Sequence, residues 1–245
     1  MLSFLKKEKP PIVTAIIVSA GSSSRMQGVD KQWLELDGEP VLSRSIAAFQ
    51  ACEPVTRIVV VTREDAVPDV YAMVQDCGFN KVFSVVSGGE TRQKSVKNGV
   101  EAAGGDTAYF AIHDGARPLV EQETILACLE KAMECGGAAA GVPVKDTIKV
   151  CGPDGRVLST PQRSGLYAVQ TPQIFEAALF RHAIFMADAA GHTFTDDCQL
   201  VEQSGKQVYI TPGSYSNLKI TTPEDVAVAE AILFAQREGI PGWRI

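Results

Sequence analysis

From residue 14 onward, short β-branched apolar runs alternate with segments of helical spacing, and glycines close most of the helical ones. Residues 14–19, 57–62, 81–86, 109–113 and 138–142 are runs of the kind that lie buried on both faces of a parallel sheet. Between them, residues 41–51, 67–77, 91–102 and 121–134 have helical spacing. In the first of these, Leu42, Ile46 and Phe49 fall on one face. Gly78, Gly104-Gly105 and Gly136-Gly137 stand where helices stop. This β-α-β-α rhythm predicts an α/β fold: a single Rossmann-like, mostly parallel sheet with helices on both faces. Ligands bind such sheets at the carboxyl ends of strands, where the strand order reverses.

The rhythm breaks between residues 143 and 172. Residues 144–150 alternate as a strand does, Gly152-Pro153-Asp154-Gly155 is a turn signal, and residues 156–160 run back. The expectation is a β-hairpin arm inserted into the sheet domain. It has few large apolar residues, so it is expected to project and pack on another subunit as a homodimer contact. A helix over 174–189, a strand over 207–212 and a helix over 223–237 complete the pattern. Thr222 is the expected N-cap of the last helix, followed by Pro223, Glu224 and Asp225. Residues 1–11 read as a disordered tail, which leaves one domain over 12–245.

A formal net charge of −6 disfavours a general nucleic-acid or anionic-membrane binder, which needs a basic face. No apolar run approaches the ~20 residues needed to span a bilayer. The cysteines (Cys52, Cys77, Cys128, Cys135, Cys151, Cys198) form no C-x-x-C pair and no zinc spacing. They read as reduced packing residues of a cytoplasmic protein.

Candidate chemistry sits where strands end. The run Ile16-Ile17-Val18 stops at Ser19-Ala20-Gly21-Ser22-Ser23-Ser24-Arg25-Met26, and Lys31-Gln32 follow. Small residues let backbone N–H groups approach and cradle phosphate oxygens, and Arg25 and Lys31 add positive charge beside them. The spacing matches neither G-x-x-x-x-G-K-[ST] nor G-x-G-x-x-G. After the run at 109–112 comes His113-Asp114-Gly115-Ala116-Arg117-Pro118. An aspartate at such a strand end can ligate Mg²⁺ that bridges phosphates, so Asp114 is the candidate metal residue. Gly88-Gly89-Glu90-Thr91-Arg92 and Ser95 form a glycine turn entering a helix, a place suited to reading a base edge and equally to a plain turn capped by Thr91. Thr195-Asp196-Asp197 and Ser216-Asn217-Leu218-Lys219 are polar islands at element ends, and apolar neighbours on both sides would hold the Lys219 ammonium in place. Arg163 and Thr171 could reach an anionic co-substrate. Together these residues describe nucleotidyl transfer, in which an anionic acceptor attacks the α-phosphorus of a nucleoside triphosphate and pyrophosphate leaves.

In this order the motifs resemble the 2-C-methyl-D-erythritol 4-phosphate cytidylyltransferase family, from about residue 14 to about residue 235. They are Ala20-Gly21-x-x-x-Arg25-Met26, Lys31-Gln32, Gly88-Gly89-x-x-Arg92-x-x-Ser95, His113-Asp114-x-Ala116-Arg117-Pro118, Asp146-Thr147-x-Lys149, Thr171-Pro172-Gln173-x-Phe175, Thr195-Asp196-Asp197 and Asn217-Leu218-Lys219-Ile220-Thr221-x-Pro223-Glu224-Asp225. The resemblance implies a nucleotidyltransferase (GT-A-like) fold, and transfer of CMP from CTP to a sugar-alcohol phosphate, with Mg²⁺ or another divalent cation. It implies Arg25, Lys31 and Lys219 as catalytic cations. Ala20, Gly21, Ser22, Ser23, Gly88, Gly89, Glu90, Ser95 and Gly115 would bind the nucleotide. Asp114, Arg117, Thr147, Arg163, Thr171 and Thr195 would bind the acceptor, with Thr147 and Arg163 serving the partner's site across a homodimer. The chain departs from the usual pattern at Ser23, where a second glycine is common, and at Asp30, where proline is frequent before the lysine. The nearest alternative is a ribitol 5-phosphate cytidylyltransferase of the same fold. From another class, a non-catalytic nucleotide-binding module is the rival, which the joint presence of Arg25, Lys31, Asp114 and Lys219 disfavours.

Overall fold

A computed structural model describes residues 10–21 and 30–240. In chain order the elements are β1 (Val13–Val18), β2 (Glu35–Leu36), β3 (Glu39–Pro40), α1 (Val41–Ala51), β4 (Val55–Thr62), α2 (Val67–Asp76), β5 (Val82–Ser87), α3 (Arg92–Ala102), β6 (Tyr109–Asp114), α4 (Gln122–Cys135), β7 (Gly137–Pro143), β8 (Val150–Cys151), β9 (Val157–Ser159), β10 (Tyr167–Glu176), α5 (Ala177–Ala190), α6 (Asp197–Gln203), β11 (Tyr209–Pro212) and α7 (Pro223–Arg237). A seven-stranded sheet has the order β11-β7-β10-β6-β1-β4-β5. Within it β10 runs antiparallel to both its neighbours, and the other strands are parallel to one another.

The strand pattern decides the layers. Successive residues of a strand face opposite sides of the sheet. Ala15 and Ile17 therefore pack with Leu42, Ile46 and Phe49 of α1 and with α2 and α4. Ile16 packs on the other side with Val96 and Val100 of α3 and with Phe180 of α5. Helix α3 lies close against the sheet: a Cβ on Gly99 would meet Ile16 Cγ2 at 2.5 Å and Val61 Cγ2 at 2.9 Å. A glycine there lets the helix backbone seat directly on β1 and β4, which fixes where its first turn points. A smaller cluster ties α7 (Ala229, Ile232) to Leu36, Val41, Leu119 and Ile220.

From β1 the chain moves outward through β4 to β5, then crosses back to lay β6 on the other side of β1. The reversal of strand order lies between β1 and β6, in a register that sets Val18 beside Asp114. The segment after Val18 and the turn after Asp114 therefore leave the sheet side by side.

The expected α/β order holds, with three corrections. Residues 174–176 are strand, and the helix begins at Ala177. Ile174 and Phe175 are a buried apolar pair just ahead of Ala177-Ala178-Leu179-Phe180, so spacing alone reads them into the helix that follows. Pairing to both β6 and β7 settled the choice. Strand content in the arm is confined to the two short pieces β8 and β9. Finally, Asp196 is the N-cap of a helix, α6, its carboxylate accepting from Gln199 N at 2.9 Å. Two residues, Asp37 and Gly38, join β2 to β3, both at positive φ (52° and 77°), the backbone a two-residue hairpin of this hand requires.

Candidate active site

A cleft of about 350 Å³ opens at the carboxyl ends of β1 and β6. It is lined by Ala20, Gly21, Lys31, Gly89, Glu90 and Ser95, and also by Asp114, Gly115 and Lys219. Each was a candidate from the sequence. Ser22, Ser23 and Arg25 lie outside the described residues.

The wall near β5 is built by short polar links. Gly88 N donates to Thr62 O at 2.7 Å, and Gly89 N donates to Ser95 Oγ at 3.1 Å. Ser95 Oγ in turn donates to Thr91 O at 2.9 Å. Thr91 is the N-cap of α3, accepting from Lys94 N. A Cβ on Gly88 would run into Ala20 Cβ and Ser95 Oγ, so the turn and the end of β1 touch only because residue 88 is glycine. On the floor, Thr62 Oγ1 donates to Gln32 Oε1 at 3.0 Å and Gln32 Nε2 donates to Asp30 Oδ2 at 2.9 Å. Arg63 Nη1 holds the same Asp30 oxygen at 2.6 Å. The carboxylate that precedes Lys31 is thus neutralised by Arg63 and turned to Gln32.

Opposite stands Asp114, almost wholly buried. Its Oδ2 receives Lys219 Nζ at 2.7 Å and lies 4.0 Å from Arg117 Nε, and its Oδ1 receives Arg92 Nε at 3.3 Å. Burial alone would raise the Asp114 pKa. The charges of Arg92, Lys219 and Arg117 outweigh it and hold the carboxyl well below the usual range. Burial lowers the Arg117 pKa, with Asp114 opposing. The main chain here is held from behind. Asp114 N donates to Thr171 Oγ1 at 3.0 Å, and Thr171 Oγ1 lies 3.1 Å from His113 Nδ1. His113 Nε2 lies 3.1 Å from Arg117 O, a carbonyl, so Nε2 carries the proton and Nδ1 accepts from the threonine hydroxyl. Burial pushes the His113 pKa down to about 4, so the ring is neutral at pH 7. Asn217 Nδ2 donates to Thr171 O at 2.9 Å, and Arg117 Nη1 donates to Asn217 O at 2.6 Å. The loop that carries Lys219 is thereby stitched to the turn that carries Asp114.

The structure separates the remaining candidates from this cleft. Thr171 is buried and its hydroxyl is committed to His113 and Asp114, so it supports the aspartate rather than facing the cleft. Arg117 sits behind Asp114. Thr195 is exposed just before α6, bonded to Gln199. Thr147 and Arg163 lie exposed on the arm, where Arg163 Nη1 donates to Lys145 O at 2.6 Å. Neither lines the cleft of its own chain. Sequence reasoning gave no role to Arg92, Gln32 or Asp197. The signal for Arg92 is its place directly after the N-cap Thr91, which sets it in the first turn of α3.

Asp114 is the carboxylate a divalent cation would need. Mg²⁺ sites commonly pair one or two carboxylates with phosphate oxygens, so the residue type fits. Both its oxygens are engaged by cationic side chains, however, and among the described residues no three His, Cys, Asp or Glu side chains cluster as a cage. A cation could use Asp114 only together with phosphate oxygens and with Lys219 moved off it.

A parallel α/β sheet with a small-residue turn at its switch point, facing a buried carboxylate ringed by cations, defines a nucleotidyltransferase-like protein. Comparison with known proteins narrows the class. The family model for 2-C-methyl-D-erythritol 4-phosphate cytidylyltransferase matches residues 13–235, and the chain belongs to that family. Curated relatives with that name include one from Caldanaerobacter subterraneus subsp. tengcongensis, 46% identical over 223 residues, covering 90% of this chain and 98% of the relative. Another, from Dehalococcoides mccartyi, is 44% identical over 221 residues, covering 90% and 96%. Among solved structures, 4-diphosphocytidyl-2C-methyl-D-erythritol synthase from Anaerococcus prevotii superposes with a TM-score of 0.83 at 29% identity, covering 92% of this chain and 97% of that one. The 2-C-methyl-D-erythritol 4-phosphate cytidylyltransferase of Thermus thermophilus gives 0.74 at 30% identity, covering 91% and 98%.

Proposed function

We propose that the protein transfers CMP from CTP to 2-C-methyl-D-erythritol 4-phosphate, giving 4-diphosphocytidyl-2-C-methyl-D-erythritol and pyrophosphate, a step toward isoprenoid precursors. The observation that carries the reading is the gathering of Lys219, Arg92 and Arg117 about Asp114, facing the glycine turns across one cleft. An acceptor phosphate oxygen attacks the α-phosphorus of CTP. The new P–O bond forms as the bond to the β-phosphate oxygen breaks, and pyrophosphate departs with that electron pair. A phosphate monoester has its second pKa near 6, so the nucleophile is ionised at pH 7 and needs no general base. His113, neutral and buried behind Asp114, fits that economy. Catalysis is then in-line positioning and charge neutralisation.

Lys219 is parked on Asp114, and the α-phosphate of an incoming nucleotide competes for it. Arg25 and Lys31 would stabilise the same developing charge. Backbone groups of Ala20, Gly21 and the Ser22-Ser23 segment would cradle the triphosphate, with Gly88, Gly89, Glu90, Ser95 and Gly115 toward base and ribose. Mg²⁺ held on the triphosphate, with Asp114 as the available protein carboxylate, would supply neutralisation of phosphate charge. The arm leaves Val157 and Leu158 more than half exposed (53% and 58%), which supports a homodimer in which Thr147 and Arg163 serve the partner's cleft. Among the described residues no helix is long and apolar enough to cross a membrane, and all six cysteines are free thiols, in keeping with a cytoplasmic setting.

The test is pyrophosphate release by the purified protein with Mg²⁺, each of the four nucleoside triphosphates, and either methylerythritol 4-phosphate or ribitol 5-phosphate. Release confined to CTP with methylerythritol 4-phosphate is expected. Release with ribitol phosphate instead would move the acceptor assignment, and silence with both would return the protein to nucleotide binding without transfer.

A further inference from the structure

Arg92 belongs to the ring of cations about Asp114 but is given no separate step in the reaction above, and Asp197, which it also holds, is given none. Arg92 opens α3 at the cleft, and its guanidinium reaches two carboxylates on different elements: Nε to Asp114 Oδ1 at 3.3 Å, Nη1 to Asp197 Oδ2 at 2.8 Å. The shorter contact is to Asp197. That residue opens α6, with its side chain only 4% exposed. Among the described residues Arg92 is the only cationic group at ion-pair distance of its carboxylate, and the Arg92 contact is the one polar contact its Oδ2 makes. Burial raises the Asp197 pKa, with Arg92 opposing, and the two carboxylates hold the Arg92 guanidinium above its ordinary range despite its own burial. The first turn of α6 is itself fixed, because Gln173 Oε1 on β10 accepts from Asp197 N and Cys198 N, both at 3.1 Å. Asp197 does not line the cleft. A buried carboxylate has been placed where its one ion-pair contact with the site runs through the arginine.

We propose that Asp197 is a positioning residue for nucleotidyl transfer: by holding Arg92 back against α6 it sets the orientation of Asp114 and the resting place of Lys219. The inference rests on the proposed transfer reaction and assigns the two residues to which that reaction gave no step. The charge count gives it content. Arg92, Arg117 and Lys219 against Asp114 and Asp197 leave one net positive charge behind the cleft. Without the Asp197 charge there are two, and nothing holds the guanidinium away from Asp114 or from incoming phosphate. Both changes favour a bound triphosphate in its ground state. Neither helps the transition state, for which Asp114 and Lys219 must be correctly placed.

The experiment is a double-mutant cycle of Asp197→Asn and Arg92→Met, with kcat and KM for both substrates and CTP affinity by calorimetry. Asparagine keeps the side-chain volume. We expect Asp197→Asn to lower kcat about tenfold or more while CTP binds as tightly as to wild type or tighter. In the Arg92→Met background the same substitution should change kcat less than about twofold, because residues acting in series are not additive. A crystal structure of Asp197→Asn should show the guanidinium off α6 and the Asp114 carboxylate turned. Multiplicative losses in the cycle, wild-type kcat in Asp197→Asn, or a loss explained wholly by weaker CTP binding would each overturn the proposal. Should Asp197→Asn not fold, Arg92→Gln takes its place, with unchanged kcat the overturning result. A wild-type protein inactive in the same assay would instead unseat the transfer reaction, and the crystal structure and calorimetry would still judge the Asp197 contact.

Discussion

The cleft at the ends of β1 and β6 and the arm over residues 144–166, between β7 and β10, are made of opposite material. Around Asp114, charged and polar groups are buried and cross-bonded: His113, Thr171, Asn217 and Asp197 are each under 4% exposed, and each is tied to another strand or helix. On the arm, β8 and β9 are exposed throughout, and apolar side chains such as Val157 and Leu158 face outward. The first region ties most of its polar groups to one another within one chain, leaving Arg117 Nε and Asn217 Oδ1 as buried atoms without a hydrogen bond among the described residues. The second exposes groups that an isolated chain has no reason to expose. A catalytic centre must be rigid before substrate arrives, because cations have to be in place when charge develops. An arm proposed to complete a neighbour's cleft would have to stay uncovered until the neighbour comes.

That contrast breaks most sharply at Lys219. Lys219→Ala should lower kcat on the order of 10²-fold or more with the fold intact, since it removes a cation aimed at the reacting phosphate. Steady-state pyrophosphate release alongside circular dichroism measures it, and near wild-type turnover would remove Lys219 from the reaction.

Acid comes next. His113 is neutral in the fold, with its pKa lowered from 6.5 to about 4 by burial. A depressed base binds its proton more readily when unfolded, so its contribution to stability is complete above about pH 6.5 and is lost as pH falls toward 4. The loss is on the order of 3 kcal/mol by the acid end of that window. Denaturant unfolding between pH 7 and pH 4 should show the midpoint falling, and His113→Asn should flatten that slope. An equally steep slope in the variant would mean other groups carry it.

Gly88→Ala should be milder. The added methyl pushes against Ala20 and Ser95, so KM for CTP is expected to rise about tenfold with a smaller change in kcat. A kcat effect alone would place residue 88 away from nucleotide binding.

The arm supplies the smallest and most specific signal. Lys219→Ala and Arg163→Ala chains, each inactive, should regain about a quarter of wild-type activity when mixed and re-equilibrated, because half the dimers are mixed and each carries one intact cleft. No recovery, together with sedimentation as a monomer at micromolar concentration, would return Thr147 and Arg163 to being plain surface residues.

Much of this molecule could be read in advance. The parallel core was legible because Ile16-Ile17-Val18, Ile58-Val59-Val60-Val61 and Phe110-Ala111-Ile112 are continuous apolar runs, and glycines mark the helix ends. The cleft was legible because its groups cluster in short segments at strand ends. Residues 174–176 were misread because burial on both faces erases the alternation that distinguishes a strand. Helix α6 was missed because Thr195-Asp196-Asp197 looked like a polar island until Asp196 was seen to cap it. Thr171 was assigned to the acceptor on resemblance, while its hydroxyl is spent on His113 and Asp114.

By itself the sequence determined that the sheet is mostly parallel, which turns must be small, and that cations and one aspartate stand at strand ends. These are local matters of side-chain shape, period and charge. Only the tertiary structure decided that β10 enters the sheet antiparallel between β6 and β7, and that Arg92 is shared by Asp114 and Asp197. The sharing of Arg92 depends on contacts between residues 22 and 105 positions apart in the chain, and the placement of β10 on pairings such as Gln173 with Ile112. No local pattern encodes such a distance, because whether a buried charge is tolerated depends on which partner the fold brings to it.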